Sequence, residues 1–277
     1  MIKLIQLRVV ALFATLALAF PAAATTYSTD YTDLWWGGTS ESGWGINLIQ
    51  QGEILFATMF VYANDNTAHW YSASALAPVG GSTTNYSGDL TESRGPWLGN
   101  PTFDPNAVSR VTVGSMTVSF SSPSTGSLNY SVNGVNVSKQ ISRITWRNVN
   151  IAGNYIGGMV GRSSGCSGVS SGQVAVFDNL TVTQNGASVS MRVDFNQGGT
   201  GTASTCTYSG TLAQAGRLSA IDGGSYSCTV GGTTANQGTF SLSAIDAGVN
   251  GFHATFSAQD QFCSSYSGRF GGVRDVP

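Results

Sequence analysis

Residues 33–71 read DLWWGGTSESGWGINLIQQGEILFATMFVYANDNTAHWY, and this stretch predicts three antiparallel strands. Between residues 43 and 51, large apolar residues fall on alternate positions, which is the period of a strand with one buried face. Between residues 54 and 62 both faces are apolar, so this strand is expected either to be covered on both sides or to turn one face to a ligand or neighbour. Polar turn residues at 51–53 and 64–66 separate the strands.

A second feature of this region is a set of short segments that recur together. They are Glu41-Ser42-Gly43-Trp44-Gly45, Gln51-Gly52-Glu53, Leu55-Phe56-Ala57-Thr58, Phe60, Tyr62, Trp70-Tyr71, Tyr130-Ser131-Val132-Asn133-Gly134, Ser138-Lys139-Gln140-Ile141 and Arg143. Through these segments, the chain from about residue 33 to 147 resembles a group of secreted proteobacterial proteins of unknown function. The resemblance implies no activity.

The N-terminus predicts export. Lys3 and Arg8 precede an apolar run at residues 9–20 and a small-residue cleavage site at 21–24, so residues 1–24 are interpreted as a signal peptide. Residues 25–32 are expected to form a flexible tail. No later apolar stretch approaches the ~20 residues of a membrane-spanning helix, so no integral membrane segment is expected after cleavage.

The composition restricts the classes of partner. The formal net charge is −2, and charged residues make up 9% of the chain. Lys139 is the last lysine, and no basic cluster follows the signal peptide, so nucleic acid and anionic membrane surfaces are disfavoured as partners. The 36 glycines and the many polar uncharged residues are typical of an exported β-protein with many turns.

The remaining pattern predicts two all-β domains. Residues 33–147 contain about eight strands, with a hairpin at Asn133-Gly134 and a long loop at 93–106. Residues 148–277 contain a second set of similar size. We expect tandem antiparallel barrels of the lipocalin or avidin kind, with sandwiches as the alternative. Both sets open with aromatic residues and glycines, but the likeness is too slight to define a repeat.

All four cysteines lie in the second domain, and an even number in an exported chain predicts two disulfides. Four cysteines allow three pairings. Cys206 and Cys228 lie symmetrically about a predicted hairpin turn, which favours their pairing and leaves Cys166 to pair with Cys263. The chain has two histidines and no C-x-x-C motif, so no zinc site, other metal or cofactor is expected.

One motif points to catalysis. Residues 161–165, GRSSG, match the G-x-S-x-G nucleophile elbow around Ser163, with His253 downstream. The elbow requires a helix after the serine, whereas a Gly/Ser-rich run follows here. No pair of carboxyl groups is seen to converge, although Glu41 is a candidate site residue. No catalytic residue is therefore assigned, and a secreted hydrolase stays an alternative hypothesis.

The aromatic residues favour binding. All six tryptophans lie between residues 35 and 146, and adjacent Trp35 and Trp36 must face opposite sides of a strand. An exposed Trp beside polar groups suits stacking on a sugar or holding an apolar ligand. The leading hypothesis is a non-enzymatic protein that binds a glycan or small apolar ligand, and the alternative is a self-associating structural or adhesive component with exposed strand edges. The candidate ligand-binding residues are Trp35, Trp36, Glu41, His69, Trp70, Tyr71 and Trp97.

Overall fold

The computed structural model describes residues 29–197 and 202–275, and the predicted signal peptide at 1–24 lies outside this range. These residues form two closed antiparallel barrels, each with eight strands in up-and-down order. This architecture confirms the predicted all-β class and selects barrels over sandwiches. The described part of the chain contains no helix long and apolar enough to cross a membrane.

The first barrel follows the predicted strand pattern closely, and its last strand pairs with its first. Its strands are β1 (Asp33–Trp36), β2 (Gly45–Gln51), β3 (Ile54–Tyr62), β4 (Ala68–Pro78), β5 (Asn85–Arg94), β6 (Ser109–Phe120), β7 (Thr125–Val132) and β8 (Val135–Arg143).

The second barrel begins after a connection at residues 144–152 and closes in the same way. Its strands are β9 (Gly153–Cys166), β10 (Gly172–Asn185), β11 (Ser188–Gln197), β12 (Thr202–Ala215), β13 (Leu218–Val230), β14 (Thr233–Gly248), β15 (Gly251–Asp260) and β16 (Cys263–Arg274).

Strand β3 has one apolar face in the barrel core and one apolar face on the outside of the barrel. Leu55, Ala57 and Met59 point into the first barrel and are fully buried. Phe60 and Tyr62, on the opposite parity, are 55% and 62% exposed. Of the two expectations from the sequence, the structure therefore supports a strand with one packed face and one outward apolar face.

A plug closes the end of the first barrel that faces the second. The Tyr31 ring stacks on Phe120 with 3.5 Å between centroids, and the Tyr31 carbonyl accepts a hydrogen bond from Trp35 Nε1 at 3.0 Å. Burial raises the pKa of Tyr31 to about 12. The predicted flexible tail is therefore wrong for its described part, residues 29–32, because burial of the Tyr31 ring holds this segment against the barrel.

The same closing motif occurs in both barrels. In the first, Arg143 of β8 pairs with Trp35 of β1, and its guanidinium lies 4.7 Å from the indole centroid. In the second, Arg274 of β16 pairs with Tyr155 of β9, and its guanidinium lies 5.0 Å from the phenol centroid. The last strand of each barrel is thus fastened to the first by an arginine over an aromatic ring.

A glutamine completes the motif. Gln50 accepts a hydrogen bond from the Tyr31 amide at 2.9 Å and donates to the Gly52 carbonyl at 3.0 Å. Gln184 accepts from the Ile151 amide at 2.9 Å and donates to the Gly186 carbonyl at 3.0 Å. The faint likeness between the two openings in sequence therefore corresponds to a structural repeat, whose members lie too far apart in sequence to be recognised as one motif.

Both disulfides lie in the second barrel, at the end away from the first. Cys166–Cys263 joins β9 to β16, and Cys206–Cys228 joins β12 to β13. The favoured pairing is thus confirmed, and it uses every cysteine, which leaves none for zinc. The Cys166–Cys263 bridge joins residues 97 positions apart. In the chain-entropy model, the lower entropy of the unfolded chain stabilises the fold by about 4–5 kcal/mol.

Asp33 connects the two barrels. Its carboxylate accepts hydrogen bonds from Arg143 Nη1 at 2.9 Å and from the Arg217 amide at 2.8 Å, so one side chain bonds to β8 and to the β12–β13 turn. Beside it, Thr145 Oγ1 accepts from the Gly216 amide at 2.8 Å.

We expect Asp33→Ala to lower the free energy of unfolding of the first barrel by about 3 kcal/mol, because it removes the carboxylate from a fully buried guanidinium. Urea unfolding followed by tryptophan fluorescence measures the loss, since Trp35 lies in that core. Asp89→Ala, at an exposed position on β5, is the control. An equal effect of both substitutions would contradict this role of Asp33.

Candidate functional site

The distal end of the first barrel, away from the second barrel, carries four loops. These connect β1 to β2, β3 to β4, β5 to β6 and β7 to β8, because every second connection of an up-and-down barrel lies at the same end. The proximal end is closed by Tyr31 and Arg143. Groups that meet a ligand inside the first barrel must therefore lie at the distal end.

Polar and aromatic side chains meet at this distal end, and we call them the rim cluster. Most of them occupy a position two residues beyond a buried core residue, on the inward-facing parity of a strand. Tyr130 follows Leu128 in this way, and Lys139 precedes Ile141. The rim cluster consists of Glu41, Trp44, His69, Tyr71, Glu92, Tyr130 and Lys139.

One half of the rim cluster is centred on Glu41. Its carboxylate accepts hydrogen bonds from Lys139 Nζ at 2.8 Å and from Trp44 Nε1 at 3.2 Å. The hydrogen bond from Lys139 is the main reason that the pKa of Glu41 lies below its ordinary value. A Cβ atom at Gly37 would lie 2.6 Å from Glu41 Oε2, so a larger residue there would displace the carboxylate from its present position.

The other half is centred on Glu92. Its Oε1 atom lies 2.8 Å from Arg94 Nε and 3.4 Å from His69 Nε2, and its side chain is 16% exposed. The hydrogen bond from Arg94 is the largest cause of a lowered pKa for Glu92. The His69 ring lies 4.9 Å from the ring of Tyr71, which forms the buried floor beneath it.

Tyr130 lies between the two halves. Burial raises the pKa of its phenol, the positive charge of Lys139 lowers it, and Tyr71 raises it. Burial likewise raises the pKa of Tyr71, with a further contribution from Glu92. Tyr130 therefore interacts electrostatically with Lys139 of one half and with Tyr71 of the other.

A long loop adds exposed aromatic surface at the same end. It connects β5 to β6 over residues 95–108, and within it Trp97 is 75% exposed and Leu98 is 81% exposed. The indole of Trp97 lies close to the backbone of Gly99, where a Cβ atom would collide with the ring. The loop thus presents one indole face to solvent on a locally packed support.

The predicted site residues do not all gather in one place. Glu41, His69 and Tyr71 belong to the rim cluster, and Trp97 lies on the loop at the same end. Trp35 is fully buried in the plugged end, so it is a core residue without surface for a ligand. Sequence reasoning missed four members of the rim cluster, Trp44, Glu92, Tyr130 and Lys139, although their inward parity at strand ends was available.

The other two predicted residues, Trp36 and Trp70, lie on the outer wall of the first barrel. Trp70 pairs directly with Phe60, and Phe60 pairs with Gly45 on its other side. An exposed apolar strip follows these strands, and we call it the outer strip. It consists of Ile49, Ile54, Phe56, Phe60, Tyr62 and Trp70.

The G-x-S-x-G motif does not form a nucleophile elbow. Ser163 lies within β9, is 6% exposed, and its Oγ accepts a hydrogen bond from the Gly172 amide at 3.2 Å. His253 lies on the outward parity of β15, between buried Phe252 and Ala254, so the barrel wall separates it from inward-facing Ser163. This arrangement rules out a catalytic pairing of the two residues.

The rim cluster is chemically suited to hydrogen bonding. General acid catalysis by a carboxyl group requires a raised pKa, whereas Glu41 and Glu92 both have lowered values and are ionised near neutral pH. Within residues 29–197 and 202–275, no group of three or more metal-binding side chains is found. The cluster offers two ionised carboxylates as acceptors, the Lys139 ammonium group as a donor, and two phenols.

Comparison with known proteins gives little further information. No family model and no curated protein matches the chain. Among solved structures, the isotype 1 transferrin binding protein B from serogroup B Neisseria meningitidis is similar over 86% of this chain and 67% of its own, with 10% sequence identity and a TM-score of 0.26. A similarity at this level supports no inference about function.

We expect Arg94→Ala to raise the pKa of Glu92 towards its ordinary value of 4.5, because it removes the main stabilising hydrogen bond. Because the folded-state pKa of Glu92 is lowered, any stability that its ionised form contributes is present above the ordinary pKa and is lost as pH falls through the folded-state pKa. In Arg94→Ala this loss of stability should occur at a higher pH than in the wild type. NMR titration of the carboxyl carbon measures the shift. The control is Arg110→Ala, on an exposed position of β6, and an unchanged pKa in Arg94→Ala would contradict the assignment.

Proposed function

We propose that this chain is an exported, non-enzymatic binding protein whose rim cluster holds a neutral, hydroxyl-rich ligand, namely the terminal part of a glycan. The observation that carries the proposal is the presence, at the distal end of the first barrel, of paired ionised side chains and two tyrosines, with an exposed tryptophan on a loop at the same end.

The charge balance of the rim favours a neutral ligand. Glu41 is paired with Lys139, and Glu92 is paired with Arg94, so each anion has a cation beside it. Hydroxyl groups both donate and accept, and bonds to ionised partners are stronger than bonds between neutral groups. A purely apolar ligand would instead remove these charges from water without replacing their hydrogen bonds. A glycan therefore fits better than the apolar ligand that the sequence also allowed.

The aromatic groups supply the second half of sugar recognition. The C–H faces of a pyranose ring are apolar and pack on indole or phenol rings. Trp97 offers such a face on the loop at the same end, and the half-buried Tyr130 offers a smaller one within the rim. We infer that a sugar residue enters between the loop and the rim, with its hydroxyls directed to Glu41 and Glu92.

Export is supported by the covalent structure. Two disulfides join strands of the second barrel, and such bonds persist in oxidising compartments outside the cytosol. The signal peptide remains a prediction from the sequence, because residues 1–24 lie outside the described part.

We expect Trp97→Ala to weaken glycan binding by about tenfold or more, because it removes the stacking surface. Array screening with matched neutral and sialylated oligosaccharides identifies the ligand, and calorimetry measures affinity. The control is Trp146→Ala, since Trp146 is 77% exposed, as Trp97 is 75% exposed, but follows β8 at the opposite end.

Substitution of Tyr130 by Phe and of Lys139 by Gln locates the site within the rim. Both should weaken binding, and the bound oligosaccharide should be recovered intact after incubation. Preference for sialylated glycans, equal effects of the two tryptophan substitutions, or absence of binding to the whole array would each reject the proposal.

The outer strip supports a second candidate, self-association in a structural or adhesive role. Closed barrels leave no free strand edges among the described strands, so edge pairing, which motivated this hypothesis in the sequence, does not apply. Association through side-chain contacts is supported instead, because Phe60 and Trp70 form a directly paired aromatic patch that is about half exposed.

If the outer strip mediates association, Phe60→Ser combined with Trp70→Ser should shift the protein from oligomer to monomer in sedimentation velocity. Val135→Ser combined with Val249→Ser, at exposed positions away from the strip, is the control. A wild-type protein that is monomeric at high concentration would remove this candidate.

A further inference from the structure

The outer wall of the second barrel contains an apolar groove with a glycine floor. Four outward-facing residues on adjacent strands form one row across it. Phe177 of β10 pairs with Gly158 of β9, Gly158 pairs with Gly271 of β16, and Gly271 pairs with His253 of β15. With strands about 4.8 Å apart, Phe177 and His253 stand roughly 14 Å apart across two positions without side chains.

The glycines are required by the fold, so the groove is a fixed feature of the wall. A Cβ atom at Gly158 would collide with the carbonyl oxygen of Val176, and one at Gly271 would collide with the carbonyl oxygen of Phe252. The neighbouring backbones therefore approach too closely for any other residue, and no side chain can fill the space above the floor.

The walls are mostly apolar and open to solvent. Ile156 and Val273 flank the floor on one side along the strands, and Val160 flanks it on the other, each more than half exposed. Phe177, at one end of the row, is 56% exposed. The groove has a volume of about 700 Å³, within the range of sites that hold small organic molecules.

One cation at the groove, Arg269, has no carboxylate partner among the described residues. The ionisable residues that line it are Asp246, His253 and Arg269. Asp246 shares Arg217 with Asp30, at 2.9 and 2.7 Å, whereas Arg269 Nη1 donates a hydrogen bond to the neutral hydroxyl of Thr255 at 3.0 Å. Among the ion pairs of the described residues, none joins Arg269 to a carboxylate. An anionic group is therefore the complement that this wall lacks.

We propose that the groove binds a small aromatic carboxylate. The ring lies on the glycine floor beside Phe177, and the carboxylate meets the guanidinium of Arg269, which pairs across the strands with Val160. A compact ring suits this floor, which is two strands wide. Along the strands, the floor is bounded by Ile156 and Val273 on one side and by Val160 and Arg269 on the other. This site belongs to the second barrel and is independent of glycan binding at the rim.

Calorimetry with indole-3-acetate and its neutral analogue indole-3-acetamide tests the proposal on the full exported chain. The acetate should bind at least about tenfold more tightly than the amide, because a charge-assisted bond to Arg269 is lost in the amide. Arg269→Gln should remove this preference, and Phe177→Ala should weaken both ligands. NMR shifts on binding should centre on Gly158 and Gly271.

Two matched substitutions serve as controls. Arg162→Gln changes an exposed arginine on the same strand as Val160 but outside the groove, and Phe60→Ala changes an equally exposed phenylalanine that also pairs with a glycine. Neither should alter binding. Val160→Glu places a carboxylate beside Arg269 without removing any buried group, so it should abolish acetate binding even if Phe177→Ala fails to fold. Equal affinity for acetate and amide, unchanged binding in Val160→Glu, or no binding by the wild type would overturn the proposal.

Discussion

At the proximal end of each barrel, an arginine of the last strand packs on an aromatic ring of the first strand. In the first barrel, Arg143 is fully buried and also donates to the carbonyls of Pro123, Thr32 and Asp30 and to the carboxylate of Asp33. Burial alone would make this cation costly, and it lowers the pKa of Arg143. The surrounding acceptors offset that cost, and they belong to the N-terminal segment, to β1 and to the β6–β7 turn. One charge therefore joins the N-terminal segment, β1, β8 and the β6–β7 turn at the closed end.

This constraint also determines where function can lie. Because the proximal end of the first barrel is occupied by Tyr31 and Arg143, polar side chains in its interior are confined to the distal end, beyond the layer of Leu128 and Ile141. In the second barrel the corresponding distal end is closed by its own network. The Asp260 carboxylate accepts hydrogen bonds from the phenols of Tyr226 and Tyr266 next to both disulfides. Although burial raises the pKa of Asp260, these bonds and those from backbone amides lower it overall. The two repeats therefore share one closing device and differ in their distal ends.

The sequence predicted the fold far better than the site, and the reason lies in the range of the interactions. Strands and hairpins depend on local alternation and on turn residues such as Asn133-Gly134, which can be seen within a few positions. The pairing of Cys206 with Cys228 could be found because the hairpin is symmetrical about its turn. The contact of Glu41 with Lys139 joins positions 98 apart and depends on the register of β8 against β1. Trp35 and Trp36 show the same limit, since alternation separates their faces but does not reveal which face a plug will cover.

Glycine has opposite consequences at the two candidate sites. At Gly37 the missing side chain leaves space beside the Glu41 carboxylate, which bonds to Lys139 and Trp44 inside the rim. At Gly158 and Gly271 the missing side chains let backbones approach, and an empty apolar floor results on the outside of a strongly curved sheet. The first arrangement fills its space with hydrogen bonds, whereas the second leaves apolar surface in contact with water beside a cation that lacks an acid. At the rim, the charged groups already have ion-pair partners, so a ligand with hydroxyl groups is the one that can replace their hydrogen bonds with water. At the groove, Arg269 has no acid partner, so a ligand with both a ring and a negative charge is favoured.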